Sequence, residues 1–338
     1  MRATTAPVQA TAGPTAPGAA RGPRSIVWGV AELNAFSDER LDRAAHRRTD
    51  EAWLDDALTG GRARAIVATA DTVAIATDGT ALRVPLDDLA ALAQHAEPIL
   101  LGVEGGAPLF AVDGQGEDEE LAAALAGRGT LVGLREESLR LGRADANLLA
   151  YAQAILSWQR RHRFCGVCGT RTGSIEGGHA RRCPSCGAVN HPRTDPVIIV
   201  VVVDPVGDRI VLGRQAVWPL GRYSALAGFV EPAEALERAV AREVMEESGV
   251  TVGDVRYHSS QPWPFPGSLM LGFHATWTGG EPRPVDGELE DARWFGRAEV
   301  AQAAHEDAAW DVQDESRLLL PPKVAIARTL IDAWLAGG

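Results

Sequence analysis

The chain has 338 residues, of which 46% are hydrophobic and 23% are charged, and its net charge is −12. This length and composition predict a soluble protein with two or more hydrophobic cores. The negative balance argues against broad adhesion to nucleic acid or membranes, and no run of about 18 apolar residues is present to span a bilayer.

Residues 1–25 are rich in Ala, Thr, Pro and Gly and contain no apolar segment of the kind found in signal peptides. This composition predicts a disordered tail. Because no export signal is visible, we expect a cytoplasmic protein that does not associate with membranes.

Residues 26–142 are predicted to form a separate α+β domain, in which apolar or alternating runs indicate strands. The predicted strands cover residues 64–69, 72–76, 98–103 and 107–112, and the predicted helices cover 86–93 and 117–126. No catalytic constellation is apparent in this region, so we expect a role in scaffolding or dimerisation.

Residues 143–192 are predicted to form a linker helix and a metal-binding ribbon. The helix is expected over residues 143–161, because apolar positions recur there at helical spacing. Its predicted buried side consists of Leu149, Ala152, Leu156 and Trp158.

All four cysteines of the chain follow this helix, in two CxxCG motifs. They are Cys165, Cys168, Cys183 and Cys186, and Gly169 and Gly187 supply the permissive backbone that such turns need. Four thiolates close a tetrahedron and leave no open position, which predicts one structural Zn²⁺ per chain. Two disulfides or a redox CxxC motif are the alternatives, but nothing suggests export and the duplicated spacing is typical of a zinc ribbon.

Arginines are frequent around these motifs. They are Arg160, Arg161, Arg163, Arg171, Arg181 and Arg182. We interpret them as the charged surface of a module with little core, and contact with RNA is the alternative.

A second core is predicted after the ribbon, in a hydrolase domain over residues 193–338. The continuous apolar run 196–203 is typical of a strand covered on both faces. Further strands are expected at 209–212, 255–259 and 269–278, and an amphipathic helix at 324–335. A helix between the strands of a mixed sheet predicts an α/β/α sandwich.

The most informative segment is residues 228–250, which fit the pattern G-x5-E-x7-R-E-U-x-E-E-x-G-U, where U is apolar. A helix is predicted from about Ala233 to Ser248, ended by Gly249. Its apolar stripe is predicted to consist of Leu236, Val240 and Val244.

Three glutamates of this helix, Glu243, Glu246 and Glu247, stand at i, i+3 and i+4, so their carboxylates are expected to crowd together. A divalent cation such as Mg²⁺ or Mn²⁺ would offset their repulsion and activate a water. Arg242 is expected to brace the preceding loop through Glu234. A solvated acidic helix is the alternative, which the nine filled positions of the pattern disfavour.

This pattern is the Nudix box, and the segment resembles Nudix hydrolases. Residues 260–266, SQPWPFP, look like the signature of the NADH pyrophosphatase subfamily, and further segments are similar to the same subfamily. Those segments are residues 158–169, 190–196, 288–295 and 321–328.

The resemblance implies a set of functional residues. The implied catalytic residues are Glu243, Glu246 and Glu247, with Glu247 the residue most essential to water activation. The implied Mg²⁺ or Mn²⁺ ligands are these three and Glu288. The implied substrate contacts are Phe229, Gln261, Trp263, Phe265, Ser268, Ala327 and His191, where His191 replaces a tyrosine of some relatives. The resemblance also implies a homodimer.

The function implied by the resemblance is metal-dependent hydrolysis of the diphosphate of NAD(H) to NMN(H) and AMP. Removal of NAD caps from RNA 5′ ends uses the same bond and is also implied. The alternatives are hydrolysis of ADP-ribose or a dinucleoside polyphosphate, which the SQPWPFP segment disfavours, and a nucleotide-sensing regulator, which the complete set of box glutamates disfavours.

Overall fold

A computed structural model describes residues 34–37, 40–95, 97–306 and 308–337. The predicted tail, residues 1–25, lies outside the described residues. None of the described helices is both long enough and apolar enough to cross a membrane.

Two six-stranded sheets and a three-stranded ribbon organise the described residues. The strands are β1 Arg64–Ala68, β2 Thr72–Ala76, β3 Val84–Pro85, β4 Ile99–Glu104, β5 Ala107–Asp113, β6 Gly129–Gly133, β7 Gly173–Ile175, β8 Ala180–Arg182, β9 Val189–Asn190, β10 Asp195–Asp204, β11 Arg209–Arg214, β12 Leu226–Phe229, β13 Thr251–Trp263, β14 Ser268–Gly279 and β15 Asp291–Gly296. The α-helices are α1 Glu51–Thr59, α2 Ala90–His95, α3 Asp118–Leu125, α4 Leu134–Glu137, α5 Arg143–Arg161, α6 Leu236–Ser248, α7 Arg297–Glu306 and α8 Ile326–Leu335. Short 3₁₀ helices cover Ala45–Arg47, Leu86–Leu89 and Glu176–Gly178.

The two large sheets share one topology. The first has the order β4-β5-β1-β2-β6 with β3 paired to β1, and the second has the order β13-β14-β10-β11-β15 with β12 paired to β10. In each sheet one pair is parallel, β1 with β5 and β10 with β14, and the other pairs are antiparallel. The half of the chain after the ribbon, which contains the second sheet, therefore repeats the architecture of the first half, which contains the first sheet.

The two halves differ in the segment between their third and fourth strands. In the second half this segment contains α6, with the acidic residues of the box. In the first half it contains residues 86–95, LDDLAALAQH, which have no glutamate. Residues 86–95 therefore have no counterparts of the box glutamates.

The central strand β10 is buried on both faces, as its apolar run predicts. Ile198 and Val200 point into a core shared with α6. Ile199 and Val201 point into a second core, shared with α8. The predicted α/β/α sandwich is confirmed.

Helix α5 has the predicted bounds, and its four predicted buried residues are at most 6% exposed. It packs into the core of the first sheet, beside Ile66 and Val73. The domain boundary at residue 142 stays a prediction.

The box helix is shorter than predicted. It begins at Leu236, because Ala233 has a left-handed backbone with φ of 66° that interrupts a helix. Its predicted end is confirmed, since Gly249 has φ of 68° and its N–H bonds to the carbonyl of Met245. Val240 and Val244 are fully buried, which confirms the apolar stripe.

A buried arginine fixes the chain between α7 and α8. Arg222 is 0% exposed, and its guanidinium donates to the carbonyls of Ala308, Ala309 and Leu320. It also lies 5.3 Å from the ring centroid of Trp310. Because all of these acceptors are main-chain groups, one side chain satisfies the carbonyls of a segment that lacks regular structure.

We expect the substitution Arg222→Met to lower the free energy of unfolding by about 2–4 kcal/mol, because buried carbonyls would lose their donors. Urea unfolding would measure this. The exposed Arg62 provides the control, since Arg62→Met should change the same quantity by less than about 0.5 kcal/mol. Equal stability of the two variants would contradict a structural role for Arg222.

Candidate functional site

The box helix is held against the sheet by a glycine. Gly228 lies on β12 opposite Ile198, and a Cβ atom there would lie 1.9 Å from Cδ of Glu243. Only a residue without a side chain lets the Glu243 carboxylate approach the strand this closely.

Glu247 is the buried acid of the site. The residue is only 3% exposed, and its Oε2 atom has no hydrogen-bond partner among the described residues. Burial, and then the negative charges of Glu288 and Glu243, raise the pKa of Glu247 to about 9. A hydrogen bond from the backbone of Ala227 only partly opposes this rise. A buried carboxylate with a free oxygen is a group that a cation would stabilise.

Arg242 ties the acidic residues to the preceding loop. Its Nε and Nη2 atoms donate to both oxygens of Glu234 at 2.8 Å, and Nη2 also donates to the carbonyl of Phe229 at 3.0 Å. Its Nη1 atom donates to Glu243 at 2.8 Å and to Glu246 at 2.9 Å. The predicted brace through Glu234 is therefore present, and the pKa of Glu234 is lowered to about 2 by its hydrogen bonds to Arg242.

Glu288 approaches the box from the other side of the site. It lies on an exposed segment before β15, accepts a hydrogen bond from Gln215 at 3.2 Å, and its charge contributes to the raised pKa values of Glu243 and Glu247. Glu246 is half exposed and is held by Arg242. The four predicted ligands thus border one region of negative potential.

The type of ligand atom that these carboxylates supply suits a divalent cation, although their oxygens do not converge closely. Among the described residues, only the four cysteines bring at least three potential ligand atoms within 4.8 Å of one another, so the glutamates are more widely spaced. The glutamates supply hard oxygen ligands, mutual repulsion and one unpartnered buried oxygen. That donor set suits Mg²⁺ or Mn²⁺, which keep several waters and bind through few carboxylates.

The four cysteines converge as predicted. The Sγ atoms of Cys165 and Cys186 are 3.6 Å apart, and those of Cys168 and Cys183 are 3.4 Å apart. These distances are too long for disulfides, whose sulfur atoms are about 2.05 Å apart. Gly169 and Gly187 have φ of 74° and 75°, as the two knuckles require. The arrangement is a four-thiolate zinc site with no open position.

The substrate contacts that the resemblance implies lie in three places. Trp263, Ser268 and His191 line a cavity of about 810 Å³ between α5, the ribbon and the β13–β14 turn. Its lining also includes Tyr151 and His162 and four arginines: Arg43, Arg48, Arg161 and Arg193. The box glutamates are not among the residues that line this cavity.

Gln261 and Ala327 lie in the interior, and Phe265 is partly buried. Gln261 is 1% exposed, donates to the carbonyls of Val324 and Ala35, and accepts from the N–H of Ile326 at 2.8 Å. Phe265 packs edge-on against Trp263, with ring centroids 5.1 Å apart. Ala327, in the first turn of α8, is 2% exposed. Direct contact of these three residues with substrate stays a prediction.

Phe229 is placed where a ring could stack. It is 62% exposed and follows Gly228 on β12. It lies opposite Val197, two residues along β10 from the cavity residue Asp195. At about 3.3 Å per strand residue, the cavity rim and the Phe229 position are about 7 Å apart along the strand.

Comparison with known families agrees with this geometry. The NUDIX domain family matches residues 193–314, and the NADH pyrophosphatase zinc ribbon domain matches residues 160–189. The NADH pyrophosphatase-like rudimentary NUDIX domain matches residues 55–158, which accounts for the repeated sheet topology.

A relative from Mycobacterium bovis, the NAD-capped RNA hydrolase NudC, is 42% identical over 248 residues, covering 71% of this chain and 76% of that protein. The chain belongs to the NADH pyrophosphatase family of Nudix hydrolases. The NAD-capped RNA hydrolase of Schizosaccharomyces pombe is 42% identical to this Nudix hydrolase over 246 residues, covering 67% of this chain and 64% of that protein. NUDT12 of Macaca fascicularis, also an NAD-capped RNA hydrolase, is 43% identical over 205 residues, covering 58% of this chain and 43% of that protein.

Sequence reasoning missed part of the surroundings of this Nudix site. The arginines Arg43, Arg48 and Arg193 reach the cavity from segments far apart in sequence, and no local pattern marks them. Asp286, whose charge also contributes to the raised pKa of Glu247, is not part of the box pattern either. Its position two residues before Glu288 is a signal that could have found it.

We expect Gly228→Ala to fold and to lose activity by about 100-fold, because the new methyl group would displace the flexible Glu243 carboxylate by more than an ångström. Steady-state hydrolysis and thermal unfolding would be measured together. Gly296→Ala is the matched control, since a Cβ atom there meets nothing within 4 Å. Full activity of the Gly228 variant would contradict the placement of Glu243.

A second prediction follows from the pKa of about 9 for Glu247. The folded-state pKa lies above the unfolded value, so the stability that this group contributes is complete at low pH and is lost as the pH rises toward 9. Without magnesium or manganese, the wild type should therefore lose stability relative to Glu247→Gln by up to about 1.4 kcal/mol per pH unit.

Urea unfolding of both proteins at pH 6, 7 and 8, with zinc retained, would measure this difference. Other titrating groups cancel between the two proteins, so the difference reports Glu247. Addition of Mn²⁺ should raise the free energy of unfolding of the wild type at pH 8 and change that of the variant less. Parallel pH profiles would show that Glu247 is ionised in the metal-free protein.

Proposed function

We propose that this Nudix hydrolase cleaves the diphosphate of NAD(H) to NMN(H) and AMP, and that it removes NAD caps from RNA 5′ ends by the same reaction. The observation that most directly supports hydrolysis is the buried Glu247 carboxylate beside Glu243 and Glu288. The names of the relatives support the choice of substrate.

Glu243, Glu246, Glu247 and Glu288 would hold Mg²⁺ or Mn²⁺. When bound, such a metal neutralises the diphosphate and activates water for attack on phosphorus. The raised pKa of Glu247 means that this carboxyl gives up a proton when it becomes a ligand, so loading should be favoured by higher pH.

The chain's own residues position the reacting groups. Arg242 fixes the directions of Glu243 and Glu246 through its paired hydrogen bonds and anchors the loop at Phe229. The exposed ring of Phe229 offers a stacking surface for a flat base. The cavity at Trp263 and Ser268, about 810 Å³ in volume, is of a size that accepts half of a dinucleotide.

The zinc ribbon has a structural role in this proposal, because its four thiolates are all committed to the zinc site. A homodimer and a cytoplasmic location stay predictions of the sequence.

Purified protein incubated with NADH and Mg²⁺ or Mn²⁺ should yield NMNH and AMP, separated by chromatography. Glu247→Gln should lower turnover by at least about 100-fold, because a neutral amide cannot replace the charged ligand. The same assay on NAD-capped RNA would test the second substrate.

The outcomes separate the alternatives. Turnover of ADP-ribose or a dinucleoside polyphosphate with no cleavage of NADH would keep the Nudix chemistry and reject the substrate. An unchanged rate for Glu247→Gln would reject the catalytic assignment. Binding without turnover of any of these compounds would favour a nucleotide sensor.

A further inference from the structure

The zinc ribbon is a basic module in an acidic chain. Residues 160–193 contain seven arginines and one acidic residue, Glu176, whereas the whole chain has a net charge of −12. Two of these arginines are used internally: Arg160 pairs with Asp113 at 2.8 Å, and Arg181 donates to Thr172 at 2.7 Å. The others are exposed.

The strand register places four exposed side chains on one surface. Phe164 pairs with Arg171, Gly173 pairs with Arg182, and Arg182 pairs with Val189. Side chains of directly opposed residues share a face, and so do residues two apart on one strand. We call the resulting surface, formed by Phe164, Arg171, Arg182 and Val189, the outer ribbon face.

The opposite face of the ribbon is already occupied. Thr172 and Arg181 point inward, where Thr172 is 4% exposed and Arg181 contacts Gln159 of α5. The rim of the ribbon is also fixed, since His179 bonds to the carbonyl of Leu100 at 2.7 Å. The outer ribbon face is therefore presented on a module anchored to the first domain.

Exposure and charge of the outer ribbon face suit a polyanion with flat bases. Phe164 is 62% exposed and Val189 is 40% exposed. Arg171 and Arg182 form no ion pair with any residue of the described ranges. The register places Arg182 beside Val189 and opposite Gly173, two residues from Arg171, so the two cations share the face. Proteins that bind single-stranded nucleic acid usually contact the phosphates with cationic side chains and stack the bases on exposed aromatic rings.

The outer ribbon face is also within reach of the hydrolase site. Residues 190–196 connect Val189 to Val197, which lies opposite Phe229. A fully extended connection of this length spans at most about 29 Å. A strand whose first nucleotide is held at Phe229 can therefore continue to the ribbon.

We propose that the outer ribbon face binds the single-stranded RNA that follows an NAD cap, with phosphates at Arg171 and Arg182 and a base stacked on Phe164. This inference rests on the proposed removal of NAD caps. It assigns recognition of the RNA body to the ribbon and leaves cleavage to the box.

The test uses the full chain with the double substitution Arg171→Gln and Arg182→Gln. Its matched control is Arg62→Gln with Arg143→Gln, which removes the same charge from exposed positions outside the ribbon. Cleavage of free NADH and of NAD-capped single-stranded RNA is measured for each protein. Bound zinc is quantified to show that the ribbon is intact.

We expect kcat/KM for capped RNA to fall about tenfold in the ribbon variant and the slope of log affinity against log salt to decrease by about 1.4. Turnover of NADH should stay within about twofold of the wild type, as no altered residue lies in the box. Phe164→Ala should weaken RNA binding by at least about fivefold, and Phe164→Trp should retain it.

Binding of a labelled, uncapped single-stranded RNA, followed by fluorescence anisotropy, separates this inference from the proposed function. Loss of binding in the ribbon variant alone would support the outer ribbon face even if the wild type failed to cleave NADH. Equal binding and equal cleavage of capped RNA by the ribbon variant and its control would overturn the inference and leave the face to a protein partner. A parallel loss on NADH and capped RNA would also overturn it.

Discussion

Repulsion between the buried Glu247 carboxyl and the carboxylates around it is the constraint on which the hydrolase half depends. Glu247 is almost completely enclosed, and Glu243 and Glu288 add negative charge around it. The fold tolerates this because Arg242 neutralises the outer glutamates and because Gly228 leaves room for Glu243. A divalent cation bound at this site would stabilise the folded protein. The carboxylate repulsion that destabilises the metal-free protein therefore favours the metal-bound form.

The repeated sheet gives this site a rigid support. The first half has the strand order of the second without its acidic helix, and the ribbon is docked onto it through His179. Gln261 then links the two halves, since its amide bonds to Ala35 on one side and to Val324 and Ile326 on the other. Gln261, a predicted substrate contact, thus has a structural role, because its hydrogen bonds fix the loop that precedes α8.

Charge is divided between the modules. The segment 228–250 is acidic, and in the proposed reaction a divalent metal neutralises it before a diphosphate binds. Residues 160–193 are basic. A long anionic substrate would meet arginines at the ribbon and in the cavity, in a chain whose net charge is −12. This division favours approach in one orientation.

The box, the four cysteines and the core strand β10 could be predicted from the sequence alone, because each is a local pattern of residue types. The same was true of α5, whose apolar periodicity is local. Long-range contacts set the start of α6 at Leu236 and the shared topology of the two halves. They also set the length of β13, which pairs with β14 from end to end through three irregularities. Tertiary structure also decided which ribbon arginines are exposed. These features depend on contacts between residues far apart in the chain, and such contacts leave no local periodicity to read.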